Sequence, residues 1–446
     1  MYKIIALIPL AFCCTLLQAQ SKTEKIDALL AAHAKNGKFN GSVLVAHKGV
    51  VLLEKGYGLK NASGNEMNEA TTIYQIGSVT KQFTAAVIMK LEEQQKLSVN
   101  DKLSKYFPLF PQGDSITIRQ LLSHTSGIYN YTNDTVLMRG DVTIPRTEAQ
   151  MIALFQNRPL SFSPGAEFEY SNSGYSLLGY IIQRVTGKPY EKVVREMILQ
   201  PLNMTSSGFD FSHLSDPNKA KGYFALNGSG GQPAPVVDST IAYSAGSLYS
   251  TVGDLHKWER SIGSNRLLRA ASWKTTFTPV KRKYGYGWNI DTAFGRSINA
   301  HSGGIHGFTS FLLRFPEEDL VVVLLSNASS GGLNKIARSA AAIVLDQPYE
   351  MPTANVAIAV DWAALVRYTG VYKLAPTFDI TITLKEKSLW GQATGQPAFQ
   401  LFPKSLYRFF LKAVEAEVEF TADTKGAISE LTLFQNGRAL KGTKIQ

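Results

Sequence analysis

Two pairs of β-rich runs, one on each side of a long stretch of helical signals, set the frame for this chain. Gly41 to Gly58 reads GSVLVAHKGVVLLEKGYG, two apolar runs around Lys48-Gly49 that predict a hairpin. Phe308 to Phe315 and Leu320 to Ser326 repeat the arrangement around Pro316-Glu317-Glu318-Asp319. Joined, these distant pairs form one antiparallel sheet, so the chain between them leaves the sheet and returns. That middle is mostly helical: Phe83, Val87, Ile88 and Leu91 recur on one face of a helix expected over Lys81–Leu97. Thr117–Leu122, Gly174–Val185 and Tyr190–Ile198 read as further helices, the last stopped by Pro201. Gly, Ser, Asn and Pro-rich stretches such as Asn227–Pro235 read as surface loops. The expected class is α/β (α+β), an antiparallel sheet flanked by helices with a helical subdomain.

Composition changes near Pro352. After Arg367 short alternating runs take over, at Phe378–Leu384, Tyr407–Leu411, Val418–Phe420 and Leu431–Phe434. Turn residues at short intervals make this a small all-β, barrel-like module of roughly eighty residues, placed over 355–446.

The first segment has a basic start, Tyr2-Lys3, an apolar run from Ile4 to Leu17, and then Gln18-Ala19-Gln20, the pattern of a signal peptide over 1–19. The expectation is export to the periplasm or the medium. Leu10-Ala11-Phe12-Cys13 loosely resembles a lipoprotein cleavage box, but Phe12 stands where a small residue is wanted, so lipid anchoring is the lesser alternative. Cys13 and Cys14 both lie in that run, which leaves a cleaved product without disulfide or thiol nucleophile. No later run of about eighteen apolar residues exists, so no transmembrane segment is expected in the mature chain. The net charge of +11 is spread over scattered lysines and arginines, which argues against nucleic-acid binding.

Chemistry concentrates in three places. Gly77-Ser78-Val79-Thr80-Lys81 runs straight into the first long helix, and residues three apart on a helix share a face. A serine hydroxyl needs a base to become a nucleophile, and a lysine serves only where burial or a helix dipole disfavours its charge. A lone Ser-x-x-Lys equally describes a helix cap followed by a solvated lysine, so context decides. Tyr170-Ser171-Asn172 follows Pro164-Gly165 and puts a phenol that can relay protons beside an amide that can hold a carbonyl or the lysine. His301-Ser302-Gly303-Gly304 puts a side chain and then bare backbone at the sheet edge, where main-chain N–H groups can stabilise an oxyanion.

On these motifs, in this order, the sequence resembles the serine β-lactamase and penicillin-binding protein superfamily. It is closer to the branch of class C β-lactamases, D-alanyl-D-alanine carboxypeptidases and esterases. Leu121-Leu122-Ser123-His124-Thr125-Ser126-Gly127, Tyr284-Gly285-Tyr286-Gly287-Trp288 and Ala245-Gly246-Ser247-Leu248-Tyr249-Ser250 resemble further segments of that group. The resemblance runs from about Phe39 to Leu345 and implies a β-lactamase/transpeptidase-like fold with a serine hydrolase domain over 20–350. It implies acyl transfer through Ser78, with Lys81 and Tyr170 exchanging protons and Asn172, His301, Ser302, Gly303 and Gly304 binding substrate. The N–H groups of Ser78 and Gly304 would form the oxyanion hole.

The implied substrate is a small molecule or peptide, namely a D-amino-acid peptide, an ester or a β-lactam, and no metal or organic cofactor is implied. His301 departs from the lysine usual in class C β-lactamases, which puts recognition of a substrate carboxylate by a fixed charge in doubt. The alternative from another class is a non-catalytic protein that senses penicillins or cell-wall peptides through the same cleft. Its expected signature, loss of Ser78, Lys81 or Tyr170, is missing from this sequence.

Overall fold

The four framing runs are strands of one six-stranded antiparallel sheet in the computed structural model. It describes residues 20–446 except 135, 136, 139, 141, 228, 229, 330, 331, 353–356, 397, 412–415, 436 and 437. The expected signal peptide and both cysteines lie outside the described residues. The strands are β1 (Gly41–His47), β2 (Val50–Tyr57), β3 (Asn289–Ala293), β4 (Arg296–Ile305), β5 (Phe308–Phe315) and β6 (Leu320–Ser326). Their order is β2-β1-β6-β5-β4-β3, so the two distant hairpins meet where β1 pairs with β6, with Val43 opposite Leu324. The first hairpin turns on Lys48 and Gly49, both with positive φ, which matches the twist that a two-residue loop needs.

Because side chains alternate across a strand, the central strands feed two cores. Val43, Val45, Val322 and Leu324 pack against helix α1 (Lys22–Lys35) and helix α4 (Leu333–Val344), while Leu44, Val321, Val323 and Leu325 join the core on the opposite face. That second core surrounds α2 (Thr80–Glu93), which is buried from Thr80 to Met89 with no solvent face. A helix apolar or buried on all sides belongs in the interior of a large fold, and α2 carries Lys81 there. It stops earlier than Leu97: Gln95 adopts φ 58°, and Leu97 returns to the core beyond the turn. Trp258 fixes α2 from behind, stacking on Phe83 at 4.3 Å and donating from its indole N–H to Gln82 at 2.9 Å.

Helix α3 (Asn172–Thr186) begins two residues before the expected Gly174, because Ser171 caps it by accepting the Gly174 N–H, and it ends at Gly187 in the left-handed conformation. The stretch expected as a loop at Asn227–Pro235 is in part a hairpin, Tyr223–Asn227 with Gly230–Pro233. Its polar composition hid the pairing, which is anchored by the Tyr223 N–H donating to the Asn327 carbonyl.

After residue 352 the chain forms a closed antiparallel barrel of eight strands running from Gly370 to Lys444, closed by pairing of its first and last strands at Tyr372 and Lys444. Among the described residues no helix is long and apolar enough to cross a membrane.

Candidate active site

Ser78 sits in a 3₁₀ turn, Gly77–Val79, that leads directly into α2. The turn is tied on three sides: the Ile76 N–H donates to Leu248, the Leu248 N–H donates to the Thr80 hydroxyl, and the Ser310 hydroxyl donates to the Ile76 carbonyl. Gly77 has φ 50°, and a Cβ there would lie 2.8 Å from the Gly304 nitrogen. A Cβ on Gly303 would lie 2.0 Å from the Ile76 carbonyl oxygen. Both glycines are therefore required for strand β4 to approach the serine turn this closely. β3 pairs with β4 only from Arg296 to Ala300, so residues 301–304 run past the end of β3 and alongside the turn.

Gly303→Ala is accordingly expected to displace the serine turn and to lower kcat/KM by about 100-fold or more, the cost of roughly ångström-scale misplacement. Kinetics of the folded variant, checked by circular dichroism, test this; near-native turnover would contradict it.

Lys81 is fully buried, and its Nζ lies 3.0 Å from Ser78 Oγ, 2.7 Å from Asn172 Oδ1 and 2.9 Å from the Ala245 carbonyl oxygen. Burial lowers its pKa well below the ordinary lysine value. The ring faces of Tyr170 and Tyr175, 4.7 and 5.3 Å from Nζ, favour the cation, but burial outweighs them. A neutral amine has two N–H groups and one lone pair. In the neutral form that burial favours, with the N–H groups given to Asn172 and Ala245, the lone pair is left for the Ser78 hydroxyl. Asn172 is held in that orientation because its Nδ2 donates to Thr132 at 3.0 Å and to Asn130 at 3.4 Å.

Tyr170 is half-buried over this pair. Desolvation pushes its phenol well above the ordinary value, against the lowering effect of its hydrogen bond with Ser78, so the phenol keeps its proton. Its ring packs on that of His124, centroids 4.2 Å apart and planes tilted by 37°. His124 is buried, accepts the Ser171 N–H at Nδ1 (3.1 Å), and therefore carries its proton on Nε2, which has no hydrogen-bond partner among the described residues.

His301 is buried rather than presented to solvent. Its Nε2, 2.9 Å from Tyr284, accepts the phenol hydrogen, and its Nδ1 donates to the Ser302 carbonyl at 2.6 Å. Both ring nitrogens are thereby used by a neutral imidazole. Desolvation brings its pKa down to about 3. Ser302 and Gly304 are exposed and Gly303 is buried, as alternation along β4 requires.

A histidine neutral in the folded state and protonated in the unfolded state makes stability rise with pH between the two pKa values. For His301 that window runs from about 3 to 6.5. Acidification from pH 6.5 to 4 is expected to cost up to about 1.4 kcal/mol per pH unit from this residue. His301→Gln should flatten the slope of urea-unfolding free energy against pH in that window; an unchanged slope would contradict the assignment.

The structure thus brings Ser78, Lys81, Tyr170, Asn172 and the 301–304 strand together. It adds Asn130, Thr132 and the Ala245 carbonyl, which orient the lysine and its amide partner, and His124 and Tyr284, which pack Tyr170 and His301. His124, Ala245 and Tyr284 stand in recognisable phrases, but the phrases carry no information on which atom points inward. Asn130 and Thr132 had no signal, since two polar residues in a loop are ordinary. Among the described residues no group of three His, Cys, Asp or Glu side chains could hold a metal ion.

Residues 26–346 match the Beta-lactamase family. The chain belongs to the Beta-lactamase family. Residues 354–444, which contain the barrel, match a Domain of unknown function (DUF3471). Within the Beta-lactamase family the chain is 28% identical over 443 residues to penicillin-binding protein 4* of Bacillus subtilis (strain 168), covering 94% of this chain and 98% of that protein. Its structure is similar to that of the octameric penicillin-binding protein homologue from Pyrococcus abyssi, with TM-score 0.66 and 27% identity over 94% of this chain and 99% of the other. It is also similar to a D-stereospecific amidohydrolase from Streptomyces, with TM-score 0.59 and 25% identity over 72% of this chain and 97% of that one.

Proposed function

We propose that this chain is an exported serine hydrolase that cleaves amide or ester bonds of D-amino-acid compounds through an acyl-enzyme on Ser78. The observation that carries the reading is the Lys81 amine, fully buried, 3.0 Å from Ser78 Oγ and bonded to two fixed acceptors. Its lone pair takes the Ser78 proton as Oγ attacks the substrate carbonyl, and the N–H groups of Ser78 and Gly304 hold the oxyanion. Tyr170, kept neutral by burial beside this pair, passes a proton to the departing amine or alcohol. Water then attacks the ester by the reverse proton path and frees Ser78.

Support for a D-amino-acid substrate comes from the penicillin-binding and D-stereospecific relatives, and support for export from the first nineteen residues of the sequence. A neutral, inward-bonded His301 supplies no fixed charge for a substrate carboxylate, which favours neutral amides and esters over β-lactams. Purified protein is expected to hydrolyse D-alanine p-nitroanilide at least about tenfold faster than its L-isomer, and nitrocefin slowly. Preference for the L-isomer would overturn the substrate class, and absence of turnover on these substrates and on p-nitrophenyl acetate would overturn the reading as an enzyme.

A further inference from the structure

The C-terminal barrel is packed unevenly along its axis. At one end Tyr368, Tyr372, Phe409 and Phe420 fill the interior, with ring centroids 4.7 to 5.6 Å apart. At the other end three inward positions hold small residues. Gly391 stands opposite Ile382, Ala393 opposite Ile380, and Ala416 opposite Gln435. A Cβ built on Gly391 would meet only the methyl groups of Ile382 and Leu401, at 3.5 and 3.6 Å, so the backbone there is not what excludes a larger residue.

The result is a cavity of about 50 Å³ inside the barrel. Small eight-stranded barrels are ordinarily filled by their own side chains or hold one small ligand. By this measure a single water needs roughly 10 to 15 Å³, so the space takes about four water-sized spheres, comparable with a chain of about four to six carbons. Ile380, Ile382, Leu401, Val418 and Leu433 supply an aliphatic wall, and among the described residues no charged side chain lines it. A cavity of that character stays dry and accepts apolar molecules. The exposed Gln396 and Gln435 stand at its lining, amides that can donate to or accept from an uncharged polar head; a buried charge would find no counter-ion.

We infer that the barrel is a binding site for an aliphatic chain carrying an uncharged polar head, separate from the Ser78 centre. The ligand enters tail first, with its alkyl end against Ile382 and Leu401 and its head at the two glutamines.

The test is titration of 1-hexanol into the full-length protein carrying ¹³C-labelled Ile, Leu and Val methyl groups. Saturable shifts are expected at Ile380, Ile382, Leu401, Val418 and Leu433. Ala416→Leu, which fills the space, should weaken the response at least tenfold while hydrolysis at Ser78 is unchanged and the melting temperature is kept or raised. If that variant does not fold, Ala393→Val makes the same comparison. No saturable shift in the wild type, or an undiminished response in the folded filled variant, overturns the inference.

Discussion

Lys81→Met is expected to lower kcat/KM by about 10³- to 10⁴-fold, the range of a positioned general base, with the loss in kcat rather than in KM. Methionine keeps the length of the side chain but offers no lone pair basic enough to take the Ser78 proton. The neighbours give no substitute. Tyr170 is held protonated by burial, His124 spends Nδ1 on the Ser171 N–H, and His301 spends both nitrogens on Tyr284 and Ser302. With the other candidates committed, the base function has nowhere else to go. Pre-steady-state acylation with p-nitrophenyl acetate measures it directly, and acylation within tenfold of wild type would remove Lys81 from the role.

Ser78→Ala is expected to reduce turnover by roughly 10⁶-fold, to the level left by binding and oxyanion stabilisation alone. Its fold should survive, because the turn is held by the backbone of Ile76 and Leu248 and by the hydroxyls of Thr80 and Ser310, and the serine side chain itself is not among those ties. Its melting temperature should be equal to or above wild type, as is common when a group held for chemistry is removed. Substrate affinity, read by calorimetry in the absence of turnover, should stay within a fewfold. Residual activity at wild-type pH dependence would point to a different nucleophile.

The sheet was legible because its strands announce themselves twice: Val43 to Ala46 and Leu320 to Leu325 are continuous apolar runs that only a strand buried on both faces requires. The site was legible at Ser78 and Lys81 because spacing three on a helix fixes their mutual reach. Less could be seen where tertiary contacts set the outcome. Nothing in Asn130-Tyr131-Thr132 marks it as the clamp on Asn172, since that role exists only once α3 is capped at Ser171 and brought against the loop. The orientation of His301 likewise depends on Tyr284, whose ring is placed by the turn from Lys281 to Tyr284 and not by any feature of the 301–304 motif. The hairpin at Tyr223 was masked by glycine and asparagine content typical of loops, and became a strand pair through its anchor on Asn327.

Ser78 is expected to form a covalent acyl-enzyme. Intact-mass spectrometry of the mature protein after incubation with a fluorophosphonate and, separately, with a penicillin tests it most directly. A single fluorophosphonate adduct is expected in the wild type, mapped to Ser78 by peptide digestion and lost in Ser78→Ala. A penicillin adduct at the same residue would join the chain in activity to the penicillin-recognising relatives. An adduct that persists in Ser78→Ala, or a wild-type protein labelled by neither reagent, would rule out Ser78 as the nucleophile.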